Sequence, residues 1–246
     1  IKNKPFLKAF LFLIHFFHSL ELNKSSSKIM KLKLLAVFFI TCPLTTFGQD
    51  IVYKDITQQL LSIDESDQKY RNQIDETISR FGNNSKEAKE LFKNMKTTDS
   101  LNLIQVEKIL SKYGWLGADK IGSQANTTLF MVIQHADLPA QLKYLPVMRI
   151  AVKQGNAKAA SLALLEDRVA LKQGKKQIYG SQVSWNMETN VSFVAPLEDP
   201  DNVDKRRAAV ELPALADYLL EIGLEWNVEQ YKKELPELEK TFFKKK

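Results

Sequence analysis

The spacing of apolar residues between Ile56 and Phe81 constrains this chain more than any other feature. Ile56, Leu60, Ile63, Tyr70, Ile74, Ile78 and Phe81 recur at steps of three, four and seven. That repeat lines side chains along one face of an α-helix. A β-strand cannot use it, because its side chains alternate with a period of two. The stripe predicts an amphipathic helix ending at Gly82, where glycine tolerates the chain reversal. Further stripes follow. Ala88, Leu91, Phe92 and Met95 predict a second helix over 85–96. Asp99-Ser100 reads as the cap of a third, which carries Leu103, Val106, Ile109 and Leu110 and stops at Gly114. A fourth runs from near Ser123 to Ala136. Asp137 reads as the N-cap of a fifth, with Pro139 tolerated in its first turn and Pro146 as a kink. Asn156 reads as the cap of a sixth, reaching Leu165.

The pattern then changes. Val169 to Lys172, a turn at Gln173-Gly174, and Lys176 to Trp185 read as a β-hairpin, with Val191 to Ala195 as a third short strand. Asp199-Pro200 is a helix start, and helices resume through Arg207, over 213–221 and over 228–240. The expected fold is mainly α (α+β). It is a multi-helix single domain over 49–246, with a small antiparallel hairpin or three-strand insert.

Residues 1–48 read differently. Met30, Lys31 and Lys33 precede an apolar run from Leu34 to Ile40, and then small residues end at Gly48. This is the grammar of a secretory signal peptide over 30–48, cut after Gly48. The run is too short to span a bilayer, which takes roughly 20 residues. Residues 1–29 read as an upstream leader outside the native protein. Residues 1–48 hold seven lysines and one glutamate of the chain's 35 basic and 29 acidic residues, leaving 28 of each. The basic excess thus belongs to the leader, and nucleic-acid binding is not expected. Cys42, the single cysteine, lies there too. The expected mature chain is therefore an exported monomer of the periplasm or cell exterior, without disulfides and without membrane insertion after cleavage.

Only His135 of the three histidines falls after residue 48. A lone histidine cannot build the multi-histidine sites typical of catalytic zinc, and no metal site is expected. A nucleophile elbow, a P-loop and a dinucleotide fingerprint are absent. What stands out is a set of polar residues in unusual places. Asp67 interrupts the apolar stripe of the first helix, with Arg71 four residues on and within reach. As an interior pair they either line a cleft or order the helix. Gln134, His135 and Asp137 sit where one helix ends and another begins. There the imidazole could act as a general base or simply meet the helix dipole. Asp167, Arg168, Gln177, Tyr179, Gln182, Glu198 and Arg207 crowd the hairpin region. They could form a site or tie a polar edge strand to its helices.

The strings Asp67-Gln68…Arg71, Gly114-Trp115, Gln134-His135-Ala136-Asp137, Asp167-Arg168, Gln177-x-Tyr179-Gly180-Ser181-Gln182, Glu198-Asp199-Pro200 and Asp204-x-Arg206-Arg207 resemble the domain-of-unknown-function family numbered 6624, over about residues 55–222. The resemblance implies that these strings belong together in one cleft, and it supplies no activity. The expected site is a polar cleft of a hydrolase-like acid/base enzyme. His135 would be the base, Asp167 or Glu198 the orienting or acidic group, and Arg168 the stabiliser of developing charge, with Tyr179 alongside. Asp67, Arg71, Gln134, Asp137, Gln177, Gln182 and Arg207 would contribute to binding. The competing expectation is a non-catalytic envelope module for a small molecule, peptide, glycan or protein partner.

Overall fold

A computed structural model describes residues 44–186 and 191–244. The leader over 1–29 and residues 30–43 of the expected signal peptide lie outside the described residues. The expected cut after Gly48 falls in the first turns of helix α1 (Leu44–Arg71). The apolar stripe that began the reading splits in two. α1 ends at Arg71, and α2 (Ile74–Phe81) resumes after Asn72-Gln73 and stops at Gly82. The two helices expected over 85–96 and 99–114 are instead one, α3 (Lys86–Tyr113). Its N-cap is Ser85, whose hydroxyl accepts from the Ala88 N–H at 3.0 Å. Asp99 is no cap but a mid-helix residue, and its carboxylate is used elsewhere.

A short α4 (Ala118–Ile121) leads into α5 (Ser123–His135) and α6 (Leu138–Lys153). Asp137 caps α6 as expected, accepting from the Ala140 N–H at 3.0 Å, and Pro146 lies inside the helix. α7 (Ala159–Lys172) starts after Lys158, not Asn156. Asn156 is bound differently: its carbonyl accepts from the Asn126 side chain at 2.7 Å. α1 packs on α3 and α5, and α6 on α7. Leu60, Val106, Leu129, Ile133, Met148, Leu164 and Leu165 meet in the main core, each essentially buried. Fully burying such a side chain stabilises the fold by roughly 1.5–3 kcal/mol.

The expected strand over 169–172 is the last turn of α7. Continuous helical hydrogen bonding there outweighs the local β-branched preference. The hairpin lies further on, where β1 (Val183–Asn186) pairs antiparallel with β2 (Val191–Val194), Val183 opposite Val194 and Trp185 opposite Ser192. β2 is the strand expected over 191–195; of the strand expected over 176–185 only the end is extended, and Gln177 makes one isolated parallel bridge to Leu197. A 3₁₀ turn (Pro200–Asn202), α8 (Val203–Ala208), α9 (Leu215–Glu221) and α10 (Val228–Lys244) complete the described chain. They close a second apolar cluster around Leu197, Leu215, Leu219 and Ile222. Tyr231 of α10 locks β2 onto this cluster. Its hydroxyl accepts from the Leu197 N–H at 2.8 Å and donates to the Ala195 carbonyl at 3.0 Å. Among the described residues no helix is long and apolar enough to cross a membrane.

Candidate functional site

The helical stripe that buries Ile56, Leu60 and Ile63 also turns Asp67 inward, four residues beyond Ile63. Asp67 is only 1% exposed. A carboxylate so deep needs partners. One of its oxygens lies 2.9 Å from Nδ1 of His135, the last residue of α5. The same oxygen lies 3.3 Å from a guanidinium nitrogen of Arg71, one helical turn on. Gln68 donates to its other oxygen at 2.8 Å. Arg71 also reaches across to α3, where one nitrogen donates to both Asp99 oxygens at 2.8 and 2.9 Å.

Burial is the strongest single influence on Asp67 and pushes its carboxyl up. His135, Arg71 and Gln68 together outweigh it and hold the group below the ordinary carboxylate value. Burial likewise dominates His135. It pushes the imidazole below its ordinary value, against the upward pull of Asp67, and the nearby Arg71 and Arg168 charges push the same way. The pair at neutral pH is thus carboxylate and neutral imidazole. Nδ1 carries the proton and donates it to Asp67, and the lone pair is on Nε2.

The acid that meets His135 is therefore Asp67, not Asp167 or Glu198 as expected from sequence. Asp167 sits fully buried in α7, and both its oxygens are committed. One accepts from the N–H groups of Ile178 and Tyr179 at 2.7 and 2.9 Å, the other from Ser181 at 2.9 Å. The carboxylate thereby folds the 177–182 segment around itself. Gln177 finishes that loop. Its amide donates to the carbonyls of Gln182 and Ala195 and accepts from the Gln182 N–H. Gly180 completes the reversal with a φ of +70°, and a Cβ there would meet the Leu215 methyls at 3.1 and 3.2 Å. Arg207, 1% exposed, donates to the carbonyls of Tyr179 and Pro213 at 2.7 and 2.6 Å and lies over the Tyr218 ring. The Tyr179 hydroxyl is turned to Glu166. Gln182 donates to the Ser181 hydroxyl, and Glu198 is exposed.

The expected cleft thus divides into two groups. One is the His135 cluster with Asp67, Arg71 and Asp99. The other is a loop-holding network of Asp167, Gln177 and Arg207, which uses side chains to satisfy backbone groups. Gln134 belongs to neither directly. It ties the α5–α6 corner, donating to the Leu164 carbonyl at 3.4 Å while its own carbonyl accepts from Gln141 at 2.9 Å.

Arg168 stands between the two groups. It is partly buried on α7 and within electrostatic reach of His135, Arg71 and Tyr218. Burial, with Arg71 adding to it, pushes its guanidinium down to about 10, so it stays charged at neutral pH. Two residues escaped the sequence reading. Asp99 looked like a helix cap, and its contact with Arg71 spans 28 residues. Tyr218, whose hydroxyl donates to the Ser181 carbonyl at 3.1 Å, carried no motif.

Ligand atoms of Asp67, Asp99 and His135 lie within 4.8 Å of one another, a spacing that could accept a cation. Arg71 already bridges both carboxylates, so a divalent ion would have to displace a buried guanidinium.

Fold and site define a helical domain with a β-hairpin, built around a buried histidine–aspartate–arginine cluster. The chain belongs to the family of unknown function DUF6624, whose model matches residues 54–228. No curated protein and no solved structure matches it.

Proposed function

We propose that this chain is an exported, hydrolase-like acid/base enzyme in which His135 is the general base and Asp67 its positioning residue. The observation that carries this reading is the 2.9 Å contact between His135 Nδ1 and a carboxylate that His135 itself, Arg71 and Gln68 hold below its ordinary value. The contact selects the tautomer with a basic Nε2, and burial keeps the ring neutral near pH 7. Both are what a base that takes a proton from water or a substrate hydroxyl requires. Export is supported by the signal-peptide grammar of residues 30–48.

The test is turnover by the full chain of chromogenic carboxylic esters, phosphoesters, glycosides and peptide amides, compared with His135→Ala and Asp67→Asn. One class is turned over, with a rate that rises with pH as His135 loses its proton. Both variants lose about 100- to 10,000-fold in kcat. Absence of turnover in every class, or turnover that His135→Ala leaves intact, overturns the reading.

A second reading has one observation behind it. A groove of about 340 Å³ between α1 and α3 is lined by Val52, Ile56, Ile109 and Tyr113, with Asp55, Lys108 and Lys112 among its polar residues. It lies about 18 Å along α1 from Asp67, at 1.5 Å per residue. An apolar floor with charged edges suits a binding module for a peptide. Saturable peptide binding that Ile56→Lys abolishes and His135→Ala leaves unchanged would favour that module.

A further inference from the structure

We infer that Arg168 is the anchor of an oxyanion site, holding a carboxylate or phosphate group of the ligand beside His135. The assignment names a ligand class for the site and rests on the reading that places the site at His135. Its basis is a mismatch of charge. An arginine is always ionised in this range and carries five N–H donors in a fixed fork. The other arginines around the two clusters are satisfied by the protein. Arg71 has Asp67 and Asp99, Arg206 has Asp199 and the carbonyls of Ile178 and Glu198, and Arg207 has two carbonyls and an aromatic face. Among the described residues the Arg168 side chain has no hydrogen bond or ion pair, and its Nε is buried without a partner.

The neighbours of Arg168 do not balance it. Arg71 has the same sign. Tyr218 is pushed up to about 12 by burial, so it stays uncharged, and its hydroxyl proton is given to the Ser181 carbonyl. A partly buried cation without a counter-charge is costly. Rigid placement makes it useful: Arg168 follows Asp167, whose three backbone contacts fix that turn of α7. An oxyanion from outside would supply the missing charge and accept in the fork geometry that arginine offers. It would also place the rest of the ligand against the imidazole.

The experiment measures the Tm of the full chain in sodium phosphate, sodium acetate and sodium chloride at matched ionic strength, for the parent, Arg168→Met, Arg168→Lys and His135→Ala. In the parent, one oxyanion at ten times its Kd raises Tm by about 3–6 °C over chloride. The larger shift says whether phosphate or carboxylate is preferred. Arg168→Met loses the shift, Arg168→Lys keeps part of it, and His135→Ala keeps it. If Arg168→Met does not fold, isothermal titration of phosphate and acetate into the parent and Arg168→Lys replaces it, with Kd expected to rise at least tenfold in the lysine variant. An equal shift in Arg168→Met is a general salt effect and overturns the proposal, as does a parent insensitive to both oxyanions. Unchanged affinity in Arg168→Lys overturns it too. An oxyanion shift without His135-dependent turnover sinks the catalytic reading alone, and turnover without an oxyanion effect sinks the Arg168 assignment alone.

Discussion

Replacing Asp167 tests whether its carboxylate serves the loop or the chemistry. In Asp167→Ala, the N–H groups of Ile178, Tyr179 and Ser181 lose a charged acceptor at 2.7–2.9 Å. Hydrogen bonds to a charged group contribute roughly 1.5–3 kcal/mol each. Ile178 and Tyr179 are partly exposed and can recover water, whereas Ser181 is buried and cannot. The low end of the range therefore applies, about 4–6 kcal/mol in all, which is a large share of the ~5–15 kcal/mol that holds a domain folded. At about 2–4 °C per kcal/mol, Tm falls by about 8–24 °C. Asp167→Asn separates the contacts. Its remaining oxygen serves Ile178 and Tyr179, while its new N–H₂ confronts the Ser181 N–H, for a cost of about 2–3 kcal/mol. Urea unfolding followed by circular dichroism reads both values directly. An Asp167→Ala variant within about 1 kcal/mol of the parent would refute the three-donor account. So would equal costs for the alanine and asparagine variants.

His135 makes stability depend on pH in a defined direction. Burial places its folded pKa below the ordinary 6.5, so between the two values the unfolded chain binds the extra proton. Stability is full above about pH 6.5 and falls as the pH drops towards the folded pKa. His135→Gln should flatten the Tm profile between pH 7.5 and 5, and an unchanged slope means that His135 is not held neutral by the fold. Gly180→Ala forces an L side chain into a φ of +70° and against Leu215. It should cost about 2–3 kcal/mol, from the left-handed backbone and the crowded methyls together. A Tm within 1 °C of the parent would show that this turn relaxes freely.

The helices were legible because helix formation follows a local repeat. The stripe from Ile56 to Phe81, the Ser123–His135 helix and the Asp137 cap can each be read within a few residues. The errors came where two local signals competed. Asp99-Ser100 has the chemistry of a cap, yet α3 runs straight through it, because its interior stripe continues on both sides and burial outweighs capping. Val169 to Lys172 looks like a strand but extends an established helix. The hairpin lies further on: only the end of the strand expected over 176–185, Val183–Asn186, is extended, and it pairs with Val191–Val194, the third strand expected over 191–195.

The site divides along the same line. The sequence alone determined that Asp67 points inward beside Arg71 and that His135 ends a helix. Both follow from residue spacing within one element, whereas the 177–182 string, expected as part of a strand, is a loop folded around Asp167. Only the tertiary structure decided that Asp67, and not Asp167, meets His135, 68 residues away, and that Arg71 bridges to Asp99. It alone showed Asp167 spent on backbone N–H groups while its neighbour Arg168 meets no acid among the described residues. Periodicity sets which face of a helix a side chain occupies. Which charges meet across helices depends on how those faces pack, and the cost of burying a charge unpaired decides that.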